Sequence, residues 1–139
     1  MAIKSLFPQD MFSPSEGELS LETIAQRFSY FFEQIHLLHL QTPSHAEHSA
    51  LNVWDDVVNA KDSFLEELMG YEGRKVKAYK FEPIVDYIPG APEKVLTELK
   101  NFASQLENYA SSKGYSNIEN LAQELSGHAV KTLYLLTQS

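Results

Sequence analysis

The sequence contains no cysteine, and this absence excludes several kinds of site at once. Disulfides, thiolate nucleophiles, iron–sulfur clusters and thiolate zinc sites all require cysteine sulfur. Any metal that the protein binds must therefore be held by nitrogen and oxygen, which histidine and carboxylate side chains supply.

Basic residues are also few, since 11 lysines and arginines stand against 19 aspartates and glutamates, for a net charge of −8. Nucleic-acid binding depends on a basic surface, so we do not expect nucleic acid as a partner. Four basic residues do cluster in one segment, where nearby acidic residues favour a solvated loop over the alternative, an anion- or nucleic-acid-binding patch. They are Arg74, Lys75, Lys77 and Lys80.

Long apolar runs are missing as well. No stretch approaches the ~20 residues of a membrane helix, and residues 1–10 lack the basic-then-apolar order of a secretory signal. We therefore expect a cytoplasmic protein without a membrane partner. With 139 residues, 43% of them hydrophobic, the chain has the size and composition of one globular domain that needs no disulfide.

Apolar residues recur at three- and four-residue intervals through most of the chain after Ser20, and this period predicts amphipathic helices. We expect an irregular arm over residues 1–19 and a single domain over residues 20–139. The predicted helices cover residues of about 20–40, about 45–69, about 92–112 and about 117–137, with a turn over residues 41–44 between the first two.

The segment at about 71–92 has no helical period and contains Pro83, Pro89 and Pro92. It predicts a long crossover between the second and third helices, because a connection of this length can carry the chain back to the other end of a bundle. The expected fold class is therefore all-α, a four-helix bundle with the ferritin-like arrangement.

Four of the five histidines lie between His36 and His48, and acidic residues follow them. Histidine and carboxylate together are ligands for iron, manganese or zinc. On one continuous helix, Asp62 and Glu66 would lie within about 40° of His48 at 100° per residue. This polar stripe faces away from the apolar side, so an ordinary solvent-exposed face is the simpler interpretation of the stripe alone.

His39 extends the apolar series of the first helix, so we expect it to face the core near the end of that helix. A buried histidine needs a partner, most often a backbone carbonyl or a carboxylate. His36 flanks the same stripe, and His45 is expected to be exposed. His128, one turn after Glu124, predicts a second pair that forms a hydrogen bond in the core.

The run His39-Leu40-Gln41, a short turn, His48-Ser49-Ala50-Leu51 and then Asp62-Ser63-Phe64-Leu65-Glu66 resembles the mini-ferritins, the Dps-type branch of the ferritin-like superfamily. It is also similar to related small phage-encoded proteins. The resemblance implies a homo-oligomer that oxidises iron at a site between two subunits. The implied ligands of iron, or of another divalent metal, are His39, His48, Asp62 and Glu66. No lysine-rich N-terminal arm is present, so the DNA binding of that branch is not carried over.

Three functions stay open at this point. The first is iron oxidation or storage, which would make the protein ferroxidase-like if it is an enzyme. The second is a non-catalytic helical interaction or structural protein, of a kind that a virus could encode. The third is a metal-dependent hydrolase with a single metal held by His36, His39 and His48.

Overall fold

The computed structural model describes residues 19–138, and these residues form helices without any strand. Four helices are long and one is short, so the prediction of an all-α bundle with four main helices is confirmed. The predicted irregular arm lies, apart from Leu19, outside the described residues. The helices are α1 (Leu21–Gln41), α2 (His45–Ala50), α3 (Val53–Glu72), α4 (Ala91–Lys113) and α5 (Ser116–Leu136).

Helix α1 begins where the sequence predicts it. Ser20 caps the helix, because its hydroxyl accepts a hydrogen bond from the Thr23 backbone N–H at 3.2 Å. The Thr23 hydroxyl in turn accepts from the Ser20 N–H at 2.7 Å. This reciprocal capping box satisfies two N–H groups that would otherwise lack a partner.

The predicted second helix is not continuous, and this differs from the expectation of one helix from about 45 to 69. Around Asn52 the backbone bonds span three residues, with Asn52 N–H donating to Ser49 at 3.2 Å and Trp54 N–H to Leu51 at 3.2 Å. Leu51 and Val53 are both buried. Two residues that are two positions apart point about 200° apart on a straight helix, so the break lets both face the core.

The core joins α1, α3 and α4 through aromatic rings. The Phe28 ring lies 5.0 Å from that of Phe64 and 5.3 Å from that of Phe102, measured between centroids. Phe31 also contacts Phe102, at 5.5 Å. Helix α5 closes the bundle with smaller buried residues, among them Ala122 and Ala129.

Contacts between helices fix their directions. Helix α3 is antiparallel to α1, since Trp54 near its start lies against His36, while Lys61 further along reaches back to Ser29. Helix α4 is also antiparallel to α1. Its early residue Glu98 faces Tyr30, and its later residue Phe102 faces Phe28.

Helices α3 and α4 therefore run in the same direction, and the segment between them must travel the length of the bundle. We call this non-helical segment, residues 74–90, the strap. It follows α1 from the first turn, where the Lys77 N–H donates to Glu22 at 2.8 Å, to the last residue, where the Tyr87 N–H donates to Gln41 at 2.7 Å. The ferritin-like relationship stays a prediction.

Three glutamines of α1 hold the backbone of the strap. The amide groups of Gln26, Gln34 and Gln41 bond to strap residues, and they are spaced eight and seven residues apart on one side of the helix. Gln34 makes two such bonds, both to Val85. Side-chain amides here take the place of a neighbouring strand, because each has an NH₂ group that donates and a carbonyl oxygen that accepts. None of the described helices is both long and apolar enough to cross a membrane.

Candidate metal centre

His39 and His48 lie against each other where α1 ends and α2 begins. Their rings stack with centroids 3.9 Å apart at an angle of 20°. Nδ1 of His39 lies 2.8 Å from the carbonyl oxygen of His48, and Nδ1 of His48 lies 2.8 Å from the carbonyl oxygen of His39. Because a carbonyl oxygen only accepts, each Nδ1 donates a proton. In the neutral rings, Nε2 is then the atom with a free lone pair.

The turn between α1 and α2 brings the two histidines together. Ser44 caps α2 by accepting a hydrogen bond from the Glu47 backbone N–H at 3.1 Å. Thr42 stabilises the turn with two hydrogen bonds. Its hydroxyl donates to the Glu47 carboxylate at 2.7 Å and accepts from the Ser44 N–H at 3.1 Å. These bonds fix where α2 starts, and with it the position of His48.

Two further histidines extend the stacked pair into a row of nearly parallel rings. His36 lies 6.2 Å from His39, and His45 lies 6.5 Å from His48, between ring centroids. His36 also packs on Trp54 at 4.5 Å. His45 is exposed, as predicted. The geometry makes His36 and His45 neighbours of the central pair and not members of it.

Burial favours the neutral form of His39, the buried member of the central pair. His39 is 9% exposed, which matches the predicted position on the core face. Burial lowers the pKa of His39 below 6.5, and the charges of His48 and His36 lower it further, while the bond to the His48 carbonyl opposes them. The neutral form of His39 is therefore favoured, and this is the form that binds a metal.

Asp62 and Glu66 form a second, separate pair. Both are exposed and lie one turn apart on α3. Lys61, next to Asp62, reaches Ser29 of α1 at 2.9 Å. Ser29 precedes His39 by about 15 Å of helix, taking 1.5 Å per residue. A single chain thus holds the four predicted ligands as two pairs that do not meet.

Clusters of three or more metal-ligating side chains are absent from residues 19–138. The three-histidine centre of a hydrolase is therefore not formed by the described residues of one chain. The break at Asn52 also means that the angle between His48 and Glu66 cannot be taken from one straight helix. A centre with all four ligands requires a second subunit, as the resemblance to mini-ferritins implied.

His128 corrects one expectation. It does not pair with Glu124 in the core. Its Nδ1 lies 3.8 Å from the Asp56 carboxylate of α3, and its side chain is 43% exposed. This is a surface contact between two helices, worth little in water.

A buried ion pair joins α1 to the strap, and the sequence analysis did not predict it. Arg27 Nη1 lies 2.6 Å from both carboxylate oxygens of Glu82, and the two side chains are only 12% and 11% exposed. Burial raises the pKa of Glu82, and the Arg27 charge and hydrogen bond oppose that shift. The residues are far apart in sequence, so no local pattern links them.

The basic segment of the strap is partly neutralised. Arg74 donates two hydrogen bonds to the Glu22 carboxylate, at 2.6 and 2.8 Å. This contact is the main reason why the pKa of Glu22 falls to about 2. Lys75, Lys77 and Lys80 are exposed, consistent with the predicted solvated loop.

Comparison with protein families places most of the described chain in a family. A protein-family model described as "Family of unknown function (DUF5856)" matches residues 39–136. No curated protein and no solved structure matches the chain. Because the matched residues cover well over half of the sequence and include α2 to α5, the chain belongs to the DUF5856 family of unknown function.

Proposed function

We propose that this protein is a cytoplasmic homo-oligomer of ferritin-like type that binds iron, or another divalent metal, between subunits. His39 and His48 of one subunit and Asp62 and Glu66 of a second supply the ligands. Fe(II) is then a substrate, which the site binds, oxidises to Fe(III) at the expense of dioxygen, and stores or releases.

The observation that carries the proposal is the reciprocal bonding of the two histidines. Metal-binding histidines usually donate the other ring N–H to a carbonyl or carboxylate, which fixes the tautomer and aims the free nitrogen. His39 and His48 both have this arrangement, each with the other's backbone. Each histidine makes one such bond, and His48 is exposed, so burial alone does not account for the bond that His48 returns to His39 or for the stacking of the two rings.

The carboxylate pair fits an intersubunit centre. Asp62 and Glu66 are exposed on α3, so a second subunit can reach them. Two carboxylates and two neutral imidazoles form a nitrogen and oxygen donor set that suits iron, manganese or zinc. Their separation within one chain is what a shared site between two chains requires.

Anaerobic Fe(II) titration followed by an oxygen pulse tests the proposal. The variants His48→Ala and Glu66→Ala should each lose the rapid rise in Fe(III) absorbance. The controls His45→Ala and Glu124→Ala should keep it, because these residues are exposed and lie outside both pairs. Equal background oxidation in all five proteins, wild type included, would refute an iron site.

A subunit-mixing experiment tests the location of the site. One chain carries His39→Ala and His48→Ala, and the other carries Asp62→Ala and Glu66→Ala. In a symmetric dimer, random mixing regenerates one intact site in each mixed dimer, or about a quarter of all sites. Recovery of Fe(II) binding to that level supports the shared site. No recovery, or a monomer by light scattering in the presence of Fe(II), contradicts it.

One observation favours a second candidate, a non-catalytic interaction or structural protein. The strap exposes several large apolar side chains: Phe81 is 78% exposed, Ile88 64% and Val85 63%. Apolar residues grouped on a surface mark contact sites more often than chance. This candidate predicts no bound metal after purification from metal-supplemented medium, and a stoichiometric metal signal would exclude it.

A further inference from the structure

A cleft of about 380 Å³ lies between the strap, α1 and the start of α4. This volume is in the range of sites that bind small molecules, which are mostly apolar with a few polar groups that orient the ligand. The cleft is separate from the histidine pair, and neither histidine lines it. Its apolar lining includes Leu38, Pro83, Val85, Ile88, Pro89 and Val95.

The wall formed by the strap is held in place. Gln34, which is 2% exposed, donates to the Val85 carbonyl at 2.9 Å and accepts from the Val85 N–H at 2.8 Å. A cleft with a fixed wall loses little conformational entropy when a ligand enters, so small molecules can bind there without reorganising the protein.

The polar end of the cleft is acidic. Glu98 accepts a hydrogen bond from the Tyr30 hydroxyl that is long, at 3.4 Å, and no ion pair of Glu98 is found within residues 19–138. The Arg27 guanidinium lies over the Tyr30 ring, 5.1 Å from its centroid, and it is already bonded to Glu82. Lys94 also lines the cleft, but it is exposed to solvent.

The pKa of Tyr30 agrees with an excess of negative charge at this end of the cleft. Its pKa is raised by burial, by the negative charge of Glu98 and by that of Glu82, while Arg27 acts in the opposite direction. The tyrosine hydroxyl therefore sits where negative charge outweighs positive charge. A ligand group placed beside it is favoured if it carries positive charge and can donate hydrogen bonds.

We propose that this cleft binds a small organic ammonium ion, with its hydrocarbon or aromatic body against the apolar lining and its ammonium group on the Glu98 carboxylate. A charge-assisted hydrogen bond to Glu98 orients the ligand. The Tyr30 hydroxyl accepts a further hydrogen bond from the same group once it turns away from Glu98.

Three probes of matched shape test the charge preference: phenethylamine, 2-phenylethanol and 3-phenylpropionate. Binding is followed by ¹⁵N-resolved NMR titration of the full chain, with the shifts of the Val85 and Val95 amides as the local signal. A hydrogen bond to a charged group contributes about 1.5–3 kcal/mol, so the amine should bind at least about tenfold more tightly than the alcohol. The anion should bind most weakly.

Variants locate the effect. Glu98→Gln keeps the shape and removes the charge, so it should lower the affinity for phenethylamine to that for the alcohol. The control Glu93→Gln, an exposed residue of the same helix outside the cleft, should leave all three affinities unchanged. Ala91→Phe fills the cleft and should weaken every probe.

Several results would overturn the proposal. These are equal binding of the three probes, an unchanged amine affinity in Glu98→Gln, unchanged binding in Ala91→Phe, or no shift of cleft amides at millimolar probe. Thermal unfolding of each variant by circular dichroism shows that it is folded. The metal centre could fail its own tests without affecting these outcomes, because no variant here touches a proposed ligand of the metal.

Discussion

Replacing Gln34 with alanine should be among the most damaging single changes on the surface between α1 and the strap. The amide group of Gln34 bonds both backbone groups of Val85, at 2.8 and 2.9 Å, from a side chain that is 2% exposed. Alanine removes both bonds and leaves a buried space beside the strap. The Val85 N–H and carbonyl then lose their only partners on α1.

The expected cost follows from the two bonds. Each contributes about 1 kcal/mol net, and a buried polar group left without a partner costs about 1–3 kcal/mol. We expect the free energy of unfolding to fall by about 2–3 kcal/mol, a large fraction of the 5–15 kcal/mol that is typical of a domain. The loss cannot exceed the free energy that holds the strap on α1, because the strap would detach before a larger loss was reached.

Urea denaturation followed by circular dichroism measures the loss, and limited proteolysis shows whether the strap is released. Gln41→Ala is the matched control. Gln41 also bonds the strap, at Tyr87 and Asp86, but these bonds are exposed and should be worth less than about 1 kcal/mol. A loss below about 0.5 kcal/mol in Gln34→Ala, or one equal to that of Gln41→Ala, would refute the assigned role of the buried amide.

Three further predictions concern acid stability, the core and a helix end. The pKa of Glu22 falls from 4.5 to about 2 in the folded protein, so the Glu22 carboxylate stabilises the fold fully above pH 4.5 and this stabilisation is lost as pH falls towards 2. In urea titrations at a series of pH values, Glu22→Gln should reduce the loss of unfolding free energy over this acid range. An unchanged loss would argue against this role of Glu22. Phe28→Ala should cost about 3–5 kcal/mol, because the ring is fully buried between two others; a loss under about 1 kcal/mol would contradict the packing. Gly114→Ala should destabilise the protein by about 1 kcal/mol, because the backbone φ at this position is +74°. Gly127→Ala, inside α5 with open space around it, should stabilise the protein by a similar amount. Equal effects of the two substitutions on the free energy of unfolding would contradict this difference.

The helices and the core were predictable, because the three- and four-residue spacing of apolar residues along a helix can be seen within a short segment of sequence. Burial of Val95, Leu99, Phe102 and Leu106 follows from spacing alone, and all four are at most 4% exposed. The break at Asn52 was not predictable in the same way. It depends on both flanking residues facing a core made by other helices, which a single segment does not reveal.

The candidate site was predictable in part. The burial of His39 follows from its place on the apolar face of α1, but its bond to the His48 carbonyl depends on how the turn closes. The hydrogen bonds between the strap and α1 join residues 45 or more positions apart, and no local period encodes them. One indication was available: Gln26 and Gln34 fall on a face that is otherwise apolar, where a buried amide implies a polar partner.

The strap also connects the fold to the histidine pair. Helix α2, which carries His48, has six residues, too few to be stable as an isolated helix. Tertiary contacts must hold it, and one of them comes from the strap: the Tyr87 hydroxyl donates to the Glu47 carboxylate at 2.8 Å. Glu47 also accepts the Thr42 hydroxyl that closes the turn. The geometry of the two histidines therefore depends on a segment some forty residues further along the chain, and a ligand that moves the strap would change the histidine pair as well.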